Sequence, residues 1–300
     1  MDVVTGAFGY IGRYITNLLI QHGEEVRTIT THPDKPNPFG TAVQAFPLDF
    51  TRPDELIKNL RGATILYNTY WIRFEHGSAT FNHACENTRT LFQCAWDAGI
   101  RKIIHISVTN ASIDSHLPYY RGKGIQEEIL VNSGSPYSII RPTLVFGKED
   151  ILINNIAWCI RRFPVFPIFG NGAYRLQPVF VEDLAQIAVM SANEPGSRIV
   201  DAIGPEVFTF EQLVKLISSK IKPGVKLMHM HPNIGIVLGR IIGLAIGDVI
   251  LTRQEALGLM DEMLTSVHEP NGLTKFSEWL EIYWSQLGST YSSELARHFY

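Results

Sequence analysis

The hydrophobic positions in the first half of the chain follow two periods that alternate along the sequence. Short apolar runs suited to strands are followed by stretches whose apolar residues recur every three or four positions, as on an amphipathic helix. The predicted elements are a strand from Val3, a helix over about 10–22, the strands EVRTIT and VQAFPLDF, the helix PDELIKNL, the strand ATILYNT, a helix over about 81–98, the strand KIIHIS, a helix over about 119–131 and the strand YSIIRPTLVF. Strands and helices in this order predict βαβ units and an α/β fold: a doubly wound parallel sheet covered by helices on both faces.

This regularity ends after Gly147. The stretch RRFPVFPIFGNGAYRLQPVF is rich in proline, glycine and aromatic residues and is predicted to be loop-like, and mostly helical stretches follow Asp201. We predict that 1–147, with a contribution from about 176–200, form a dinucleotide-binding Rossmann domain. The remaining residues, 148–175 and 201–300, are predicted to form a smaller substrate-side domain at the carboxyl edge of the sheet, where such folds bind ligands.

Composition narrows the class of protein. The 300 residues are 45% hydrophobic with a formal net charge of -3, which is typical of a globular protein, and no run of Lys and Arg indicates nucleic-acid binding. The three cysteines, Cys85, Cys94 and Cys159, form no CxxC pair, so neither a disulfide framework nor a metal site is predicted. A β-like run begins at Val3 with no preceding targeting pattern, and the expected location is cytoplasmic.

One apolar stretch, residues 233–251, raises the question of membrane association. It has glycines at every fourth position from 235 to 247, a spacing typical of close helix packing. Arg240 and Asp248 interrupt it, and a charge at the centre of a bilayer costs about 2.5 to 3.5 kcal/mol on insertion scales. We therefore favour a soluble helix over a membrane-inserted or interfacial one.

The stretch VTGAFGYIG just after the start places Gly6, Gly9 and Gly12 between a strand and a helix. Glycines allow a tight turn and let backbone N–H groups approach a diphosphate, whose charge the positive end of the helix dipole stabilises. An ordinary strand–helix turn is the alternative, but the context favours a dinucleotide-binding loop. The residues predicted to line it are Thr5, Gly6, Phe8, Gly9, Tyr10, Ile11 and Gly12.

The end of the second predicted strand bears on the choice of dinucleotide. A carboxylate there would accept a hydrogen bond from the ribose 2′-hydroxyl of NAD, but this chain has Thr31 and His32, with Lys35 close behind. The absence of a carboxylate favours NADP(H) over NAD(H), although no arginine occupies the position either. Asp49, at the end of the third strand, either accepts from the adenine amino group or belongs to the start of the next helix.

The stretch PYYRGKGIQEE places Tyr119 four residues before Lys123, so that on a helix both side chains share one face. A nearby ammonium and an oxidised nicotinamide both favour the phenolate, so this tyrosine can exchange a proton with a substrate hydroxyl or carbonyl. Tyr120 has Gly124 at the same offset and is the weaker candidate. On its own a YxxxK spacing is common and also describes a half-buried surface pair.

Together, the glycine loop and the YxxxK pair resemble the short-chain dehydrogenase/reductase superfamily over most of the chain. The stretches RPTLVFGKEDILINNIAW, FPIFGNGAYRLQPVFVEDLA and DVILTRQEALGL are similar to atypical, extended members, which include the nucleotide-binding accessory subunit of respiratory complex I and nucleoside-diphosphate-sugar epimerase homologues. The resemblance implies binding of NAD(P) more firmly than it implies turnover, because some relatives hold the cofactor structurally.

The resemblance also implies individual site residues. A Ser or Thr after the fifth strand should bind the reacting oxygen; Ser107 and Thr109 are the candidates, and the offset favours Thr109. The ten residues from Thr109 to Tyr119 are about half the usual separation in extended members, which puts the substrate-side geometry in question. Four further positions match cofactor-binding segments, at the end of the fourth strand and after the sixth: Asn68, Thr69, Arg141 and Pro142.

Two functions remain open. The first is an NADP(H)-preferring oxidoreductase or epimerase acting on a carbonyl or secondary alcohol, with Tyr119 as acid/base, Lys123 lowering its pKa and holding the ribose, and Thr109 orienting the substrate oxygen. The second is a non-catalytic NADPH-binding structural subunit or redox sensor. The expected partners are a nicotinamide dinucleotide, an unidentified small-molecule substrate for the enzyme, and either further copies of the chain or a larger protein complex.

Overall fold

A computed structural model describes residues 1–235, 247–248, 252–293 and 295. Its strands are β1 Asp2–Thr5, β2 Val26–Thr30, β3 Val43–Pro47, β4 Ile65–Asn68, β5 Lys102–Ile106, β6 Tyr137–Pro142, β7 Leu144–Phe146, β8 Val165–Phe169, β9 Arg175–Leu176, β10 Pro178–Phe180, β11 Arg198–Ala202, β12 Phe208–Thr209 and β13 Lys226–Met230. Its α-helices are α1 Tyr10–Gln21, α2 Pro53–Leu60, α3 Phe81–Asp97, α4 Pro118–Val131, α5 Ile151–Arg162, α6 Val181–Asn193, α7 Phe210–Ile221, α8 Arg253–Met260 and α9 Phe276–Tyr283.

Seven of the strands form one parallel sheet in the order β3-β2-β1-β4-β5-β6-β11. Helices α2, α3 and α4 pack side by side, and α1 packs against α6. The strands near the centre are buried on both sides, β1 and β5 along their whole length, which explains their near-continuous apolar sequences. The α/β fold with a doubly wound parallel sheet is therefore confirmed.

The described chain divides into two compact units. One comprises Met1–Pro142 and Val181–Ala202 and contains the seven-stranded sheet. Its largest buried apolar cluster joins strand residues such as Val3, Leu66 and Ile103 to Leu56 of α2 and Leu91 of α3.

The other unit comprises Thr143–Phe180 and Ile203–Tyr300. Its core is strongly aromatic, with Phe146, Phe276 and Trp279 in mutual edge or stacked contact. Burying such large side chains is the main source of stability for a small unit.

Two local predictions are wrong. The stretch YSIIRPTLVF is not one strand, because β6 ends at Pro142 within the large sheet, whereas β7 pairs, among the described strands, with β10 alone. The stretch predicted to be loop-like contains β8, β9 and β10. Strand β8 shows a period of two, with Phe166 and Ile168 buried, and it pairs with β13 alone in the described chain, so Pro167 is tolerated as in an edge strand.

Within the described residues, no helix combines the length and the apolarity that crossing a bilayer requires. The glycine-striped stretch 233–251 falls mostly outside those residues, and its predicted helix is not described.

Candidate functional site: a glycine loop and a tyrosine–lysine helix

Strand β1 leads into a tight glycine loop. Gly6 has φ +62°, a conformation that side chains with a Cβ rarely adopt, and its carbonyl accepts the N–H of Gly9 at 2.8 Å. A Cβ on Gly12 would lie 2.3 Å from the same carbonyl oxygen. Gly6 and Gly12 are thus required by the backbone geometry, and they bring the first turn of α1 against the end of β1.

The start of α1 suits an anion. Gly9 is the N-cap and has no side chain with which to cap the helix, and no acidic residue lies in the first turn. The first N–H groups of a helix have no acceptors within it, and the helix dipole places partial positive charge there. The loop therefore fits the diphosphate of a dinucleotide.

A chain of polar side chains links the carboxyl ends of β1, β4 and β5. The Thr5 hydroxyl donates to Oδ1 of Asn68 at 3.1 Å and accepts the N–H of Thr69 at 2.7 Å. The Thr69 hydroxyl donates to the Thr5 carbonyl at 2.6 Å. The structure thus brings three predicted cofactor-binding residues, Thr5, Asn68 and Thr69, together beside the glycine loop.

His105 continues this chain and was not predicted. Because Oδ1 of Asn68 accepts hydrogen bonds from Thr5 and from the N–H of Tyr70, its amide nitrogen is the donor to Nδ1 of His105, 3.0 Å away. Complete burial, and then the charge of Lys123, hold the pKa of His105 well below its ordinary value. The ring is therefore neutral with its proton on Nε2, a buried atom that has no acceptor among the described residues.

The residues predicted to meet the adenosine end lie beyond β2 and β3. Thr31 is exposed, and His32 and Lys35 are half-buried; the burial of His32 and then the charge of Lys35 lower the pKa of His32. Asp49 accepts hydrogen bonds from the hydroxyl and the N–H of Thr51, which lower the pKa of its carboxyl. It is not the N-cap of α2, which is Arg52.

Helix α4 carries the tyrosine–lysine pair. It begins at Pro118, a residue well suited to the first helical position, so Tyr119 and Lys123 lie in its first two turns on one face. Tyr119 is half-buried, whereas Lys123 is only 3% exposed and donates from Nζ to the Ile106 carbonyl at 2.9 Å. Burial lowers the pKa of Lys123 to about 7, and the nearby Glu127 carboxylate opposes that effect.

Aromatic side chains cover this pair. The Trp71 ring lies 4.9 Å from Nζ of Lys123, stacks on Phe81 at 5.5 Å and meets the Tyr119 ring edge-on at 6.0 Å. A Cβ on Gly122 would lie 2.6 Å from the Trp71 ring, so this glycine makes room for the indole. The structure thus places Trp71 against the tyrosine–lysine pair.

The two hydroxyl candidates after β5 differ in their surroundings. Both are buried, and the N–H of Thr109 donates to the Pro142 carbonyl at 3.0 Å, which holds it beside the end of β6. The Ser107 hydroxyl donates to the Glu127 carboxylate. Glu127 also binds the predicted residue Arg141 through both carboxylate oxygens, which raises the pKa of the guanidinium.

Sequence reasoning missed three charged or titratable residues of this region. Glu127 lies four residues after Lys123 and continues the same helical face, a signal present in the sequence. His105 shows no pattern apart from being a polar residue within an apolar strand. Arg13 directly follows Gly12, and its side chain returns to the loop, with Nη2 3.3 Å from the Phe8 carbonyl.

Fold and loop together define a dinucleotide-binding protein of the Rossmann type. Residues 3–202 match the model of the NAD dependent epimerase/dehydratase family, so the chain belongs to that family. It is an extended-type relative of the short-chain dehydrogenases/reductases and a nicotinamide-dinucleotide-binding protein.

Comparison with individual proteins adds detail. The chain is 27% identical over 230 residues to NADH dehydrogenase (ubiquinone) 1 alpha subcomplex subunit 9, mitochondrial, of Arabidopsis thaliana, an alignment that covers 73% of this chain and 57% of that protein. It spans less than two thirds of the length of such curated relatives.

Solved structures share the fold. An NADPH-dependent quinone oxidoreductase from Escherichia coli, complexed with NADPH, has a TM-score of 0.76 at 19% identity, covering 95% of this chain and all of that one. MoeE5 in complex with UDP-glucose and NAD has a TM-score of 0.69 at 18% identity, covering 95% and 98%. The two proteins hold different dinucleotides.

Proposed function

We propose that the protein is an NADP(H)-preferring oxidoreductase or epimerase that acts on a carbonyl or secondary alcohol through Tyr119 and Lys123. The observation that carries the proposal is the position of Lys123: its ammonium is buried and bound to the Ile106 carbonyl, one helical turn beyond a half-buried Tyr119 on the same face. In such a place a cation acts strongly on a neighbouring phenol, because little water screens it.

In the reductive direction, the bound reduced dinucleotide would supply a hydride to the carbonyl carbon. Tyr119 would donate its phenolic proton to the carbonyl oxygen, so that the product is the secondary alcohol and the tyrosine is left as phenolate. Lys123 would stabilise that phenolate by its charge, and Thr109 would hold the reacting oxygen. In the oxidative direction the same phenolate accepts the hydroxyl proton.

The preference for NADP(H) is part of the proposal. It is supported by the two residues directly after β2, Thr31 and His32, which carry no carboxylate to repel a 2′-phosphate, and by the nearby cation of Lys35; the nearest carboxylate after β2 is that of exposed Asp34. Competitive titration with NADPH and NADH tests it, and equal affinity for the two would contradict it.

Turnover is tested by following NADPH oxidation with a panel of aldehydes, ketones, quinones and nucleotide sugars, and by assaying product isomers, because an epimerase shows no net oxidation. Tyr119→Phe should abolish turnover and keep NADPH affinity. Tyr120→Phe is the matched control: its ring contacts that of Tyr119 at 5.3 Å, but Gly124 rather than lysine lies four residues later, so turnover should persist. Equal loss in both variants would contradict the assigned roles.

A non-catalytic NADPH-binding subunit is the second candidate. The position of the Trp71 ring over Nζ of Lys123 favours this candidate. The ring occupies one side of the ammonium, and a catalytic lysine needs its sides open to contact the tyrosine and the dinucleotide. The curated relatives named as subunits of NADH dehydrogenase also support it. Tight retention of unreacted NADPH by the parent and by Tyr119→Phe alike, across the whole panel, would favour this candidate over the enzyme.

A further inference from the structure

The side chain of Arg13 is directed to the glycine loop. The backbone N–H of Arg13 donates to the Gly9 carbonyl at 3.1 Å and closes the first turn of α1. Side chains on a helix lean toward its N-terminus, and the guanidinium accordingly lies beside the loop, where Nη2 donates to the Phe8 carbonyl at 3.3 Å. Arg13 therefore adds a permanent positive charge next to the helix end that faces the loop.

This placement is electrostatically unfavourable in the protein alone. A cation at the positive end of a helix dipole is destabilising, and the first turn of α1 holds no acidic residue to offset it. Within the described chain Arg13 forms no ion pair, and its Nε is buried without an acceptor. Arg141 and Arg175, by contrast, each bind a carboxylate through two nitrogens.

A buried guanidinium nitrogen without an acceptor in the described chain, beside the start of a helix whose first N–H groups have no acceptors within the helix, indicates an anion supplied from outside the chain. We propose that Arg13 binds a phosphate group of the nicotinamide dinucleotide, its planar fork donating to two phosphate oxygens. The proposal rests on the dinucleotide binding included in the proposed function. The same chemistry fits the diphosphate and the 2′-phosphate, and the two dinucleotides distinguish them.

The test is titration of the full chain with NADPH and with NADH, followed by nucleotide fluorescence. Arg13→Gln keeps much of the side-chain length and removes the charge; we expect it to raise Kd by about 10-fold to 100-fold, the range for a charge-assisted hydrogen bond. Arg13→Lys keeps the charge but not the fork and should lie between. Arg89→Gln is the matched control, since Arg89 is exposed on α3 and its loss changes the net charge equally.

The titrations with NADPH and with NADH together identify which phosphate Arg13 binds. A loss confined to NADPH assigns Arg13 to the 2′-phosphate, and an equal loss for NADH and NADPH assigns it to the diphosphate. The affinity of the parent should also fall with salt more steeply than that of Arg13→Gln, because the variant lacks a charged contact.

A merely structural role has a different signature. If Arg13 only supported the loop through Phe8, ligand-free Arg13→Gln would have a lower Tm, whereas removing a cation from the positive helix end should leave Tm unchanged or raise it. Affinity within twofold of the parent for both dinucleotides, or a loss explained by the unfolded fraction alone, overturns the proposal. The titration does not depend on turnover. Binding affinities alone therefore decide the role of Arg13, even if the protein binds the dinucleotide and reduces no substrate.

Discussion

The indole ring of Trp71 covers the ammonium of Lys123, its centroid 4.9 Å from Nζ. The arrangement depends on Gly122, since a Cβ at that position would lie 2.6 Å from Cη2 of the indole. A glycine inside a helix costs about 1 kcal/mol relative to alanine, and here the missing side chain is replaced by an aromatic cover. The cover keeps water from the one lysine that the proposed chemistry uses.

Displacing this cover should expose Lys123. Trp71→Ala removes the ring, and Gly122→Ala pushes it aside while improving helix propensity. Both substitutions should therefore accelerate acylation of Lys123 by an amine-reactive acylating reagent at pH 7.5. Mass spectrometry of the labelled peptides measures the rates, with exposed Lys58 as the internal reference. Unchanged labelling of Lys123 in Gly122→Ala would show that the ring does not control access.

Lys123 should also leave a signature in the pH dependence of stability. Its pKa is about 7 in the folded protein and about 10.5 when unfolded, so between these values the unfolded chain binds more protons and the contribution of Lys123 to stability rises with pH. In Lys123→Met this rise is absent. In urea unfolding at pH 6.5, 7.5 and 8.5, the free energy of unfolding of the parent should rise relative to that of the variant by up to about 1.4 kcal/mol per pH unit. A difference between the two free energies that does not change with pH would exclude the lowered pKa.

The glycine loop permits a graded test. Gly12→Ala places a Cβ 2.3 Å from the Gly6 carbonyl oxygen, a backbone atom that cannot rotate away, whereas the Cβ of Gly9→Ala would be 3.2 Å from the same atom. We expect Gly12→Ala to abolish NADPH binding and to lower Tm, and Gly9→Ala to do both to a smaller degree. Equal effects of the two substitutions on affinity would contradict a role for loop closure.

The large sheet was predictable because its signals are local. Strand β1, the loop from Gly6 to Gly12 and helix α1 follow one another in sequence, and each has a period or a glycine that marks it. Strand β8 was not predictable in the same way, because Pro164 before it and Pro167 within it suggest a loop, and it is the pairing with β13 that makes it a strand. Nor does the sequence reveal that the chain leaves the large sheet between Pro142 and Leu144, since that depends on a change of pairing partner.

The polar contacts of the candidate site divide in the same way. The Tyr119 and Lys123 spacing is visible on one helix, whereas the contacts of Asn68 with Thr5 and with His105 join residues that are 63 and 37 positions apart in sequence, respectively. Arg13 stands next to a recognisable glycine, yet only the three-dimensional structure shows that its Nε lacks an acceptor. Long-range hydrogen bonding leaves no periodic trace in a single sequence.

Substitutions at Ser107 and at Thr109 should have different effects: the loss of the Ser107 hydroxyl should mainly lower stability, and the loss of the Thr109 hydroxyl should mainly lower turnover. The Ser107 hydroxyl is bound to Glu127, which in turn holds Arg141, so Ser107→Ala should cost about 1 to 2 kcal/mol of stability and Glu127→Gln more, because it weakens a largely buried ion pair. The double variant should show a coupling energy of about 0.5 kcal/mol or more, as expected for directly bonded groups.

Turnover should respond to the other hydroxyl. If the Tyr119 chemistry operates, Thr109→Val should lower kcat with little change in NADPH affinity. Ser107→Ala should retain most of the parent's kcat, because the Ser107 hydroxyl already donates its hydrogen bond to the Glu127 carboxylate. Urea unfolding measures the stabilities, and NADPH oxidation with the best substrate of the panel measures kcat. A loss of kcat in Ser107→Ala as large as in Thr109→Val, at full folding, would transfer the substrate-orienting role to Ser107.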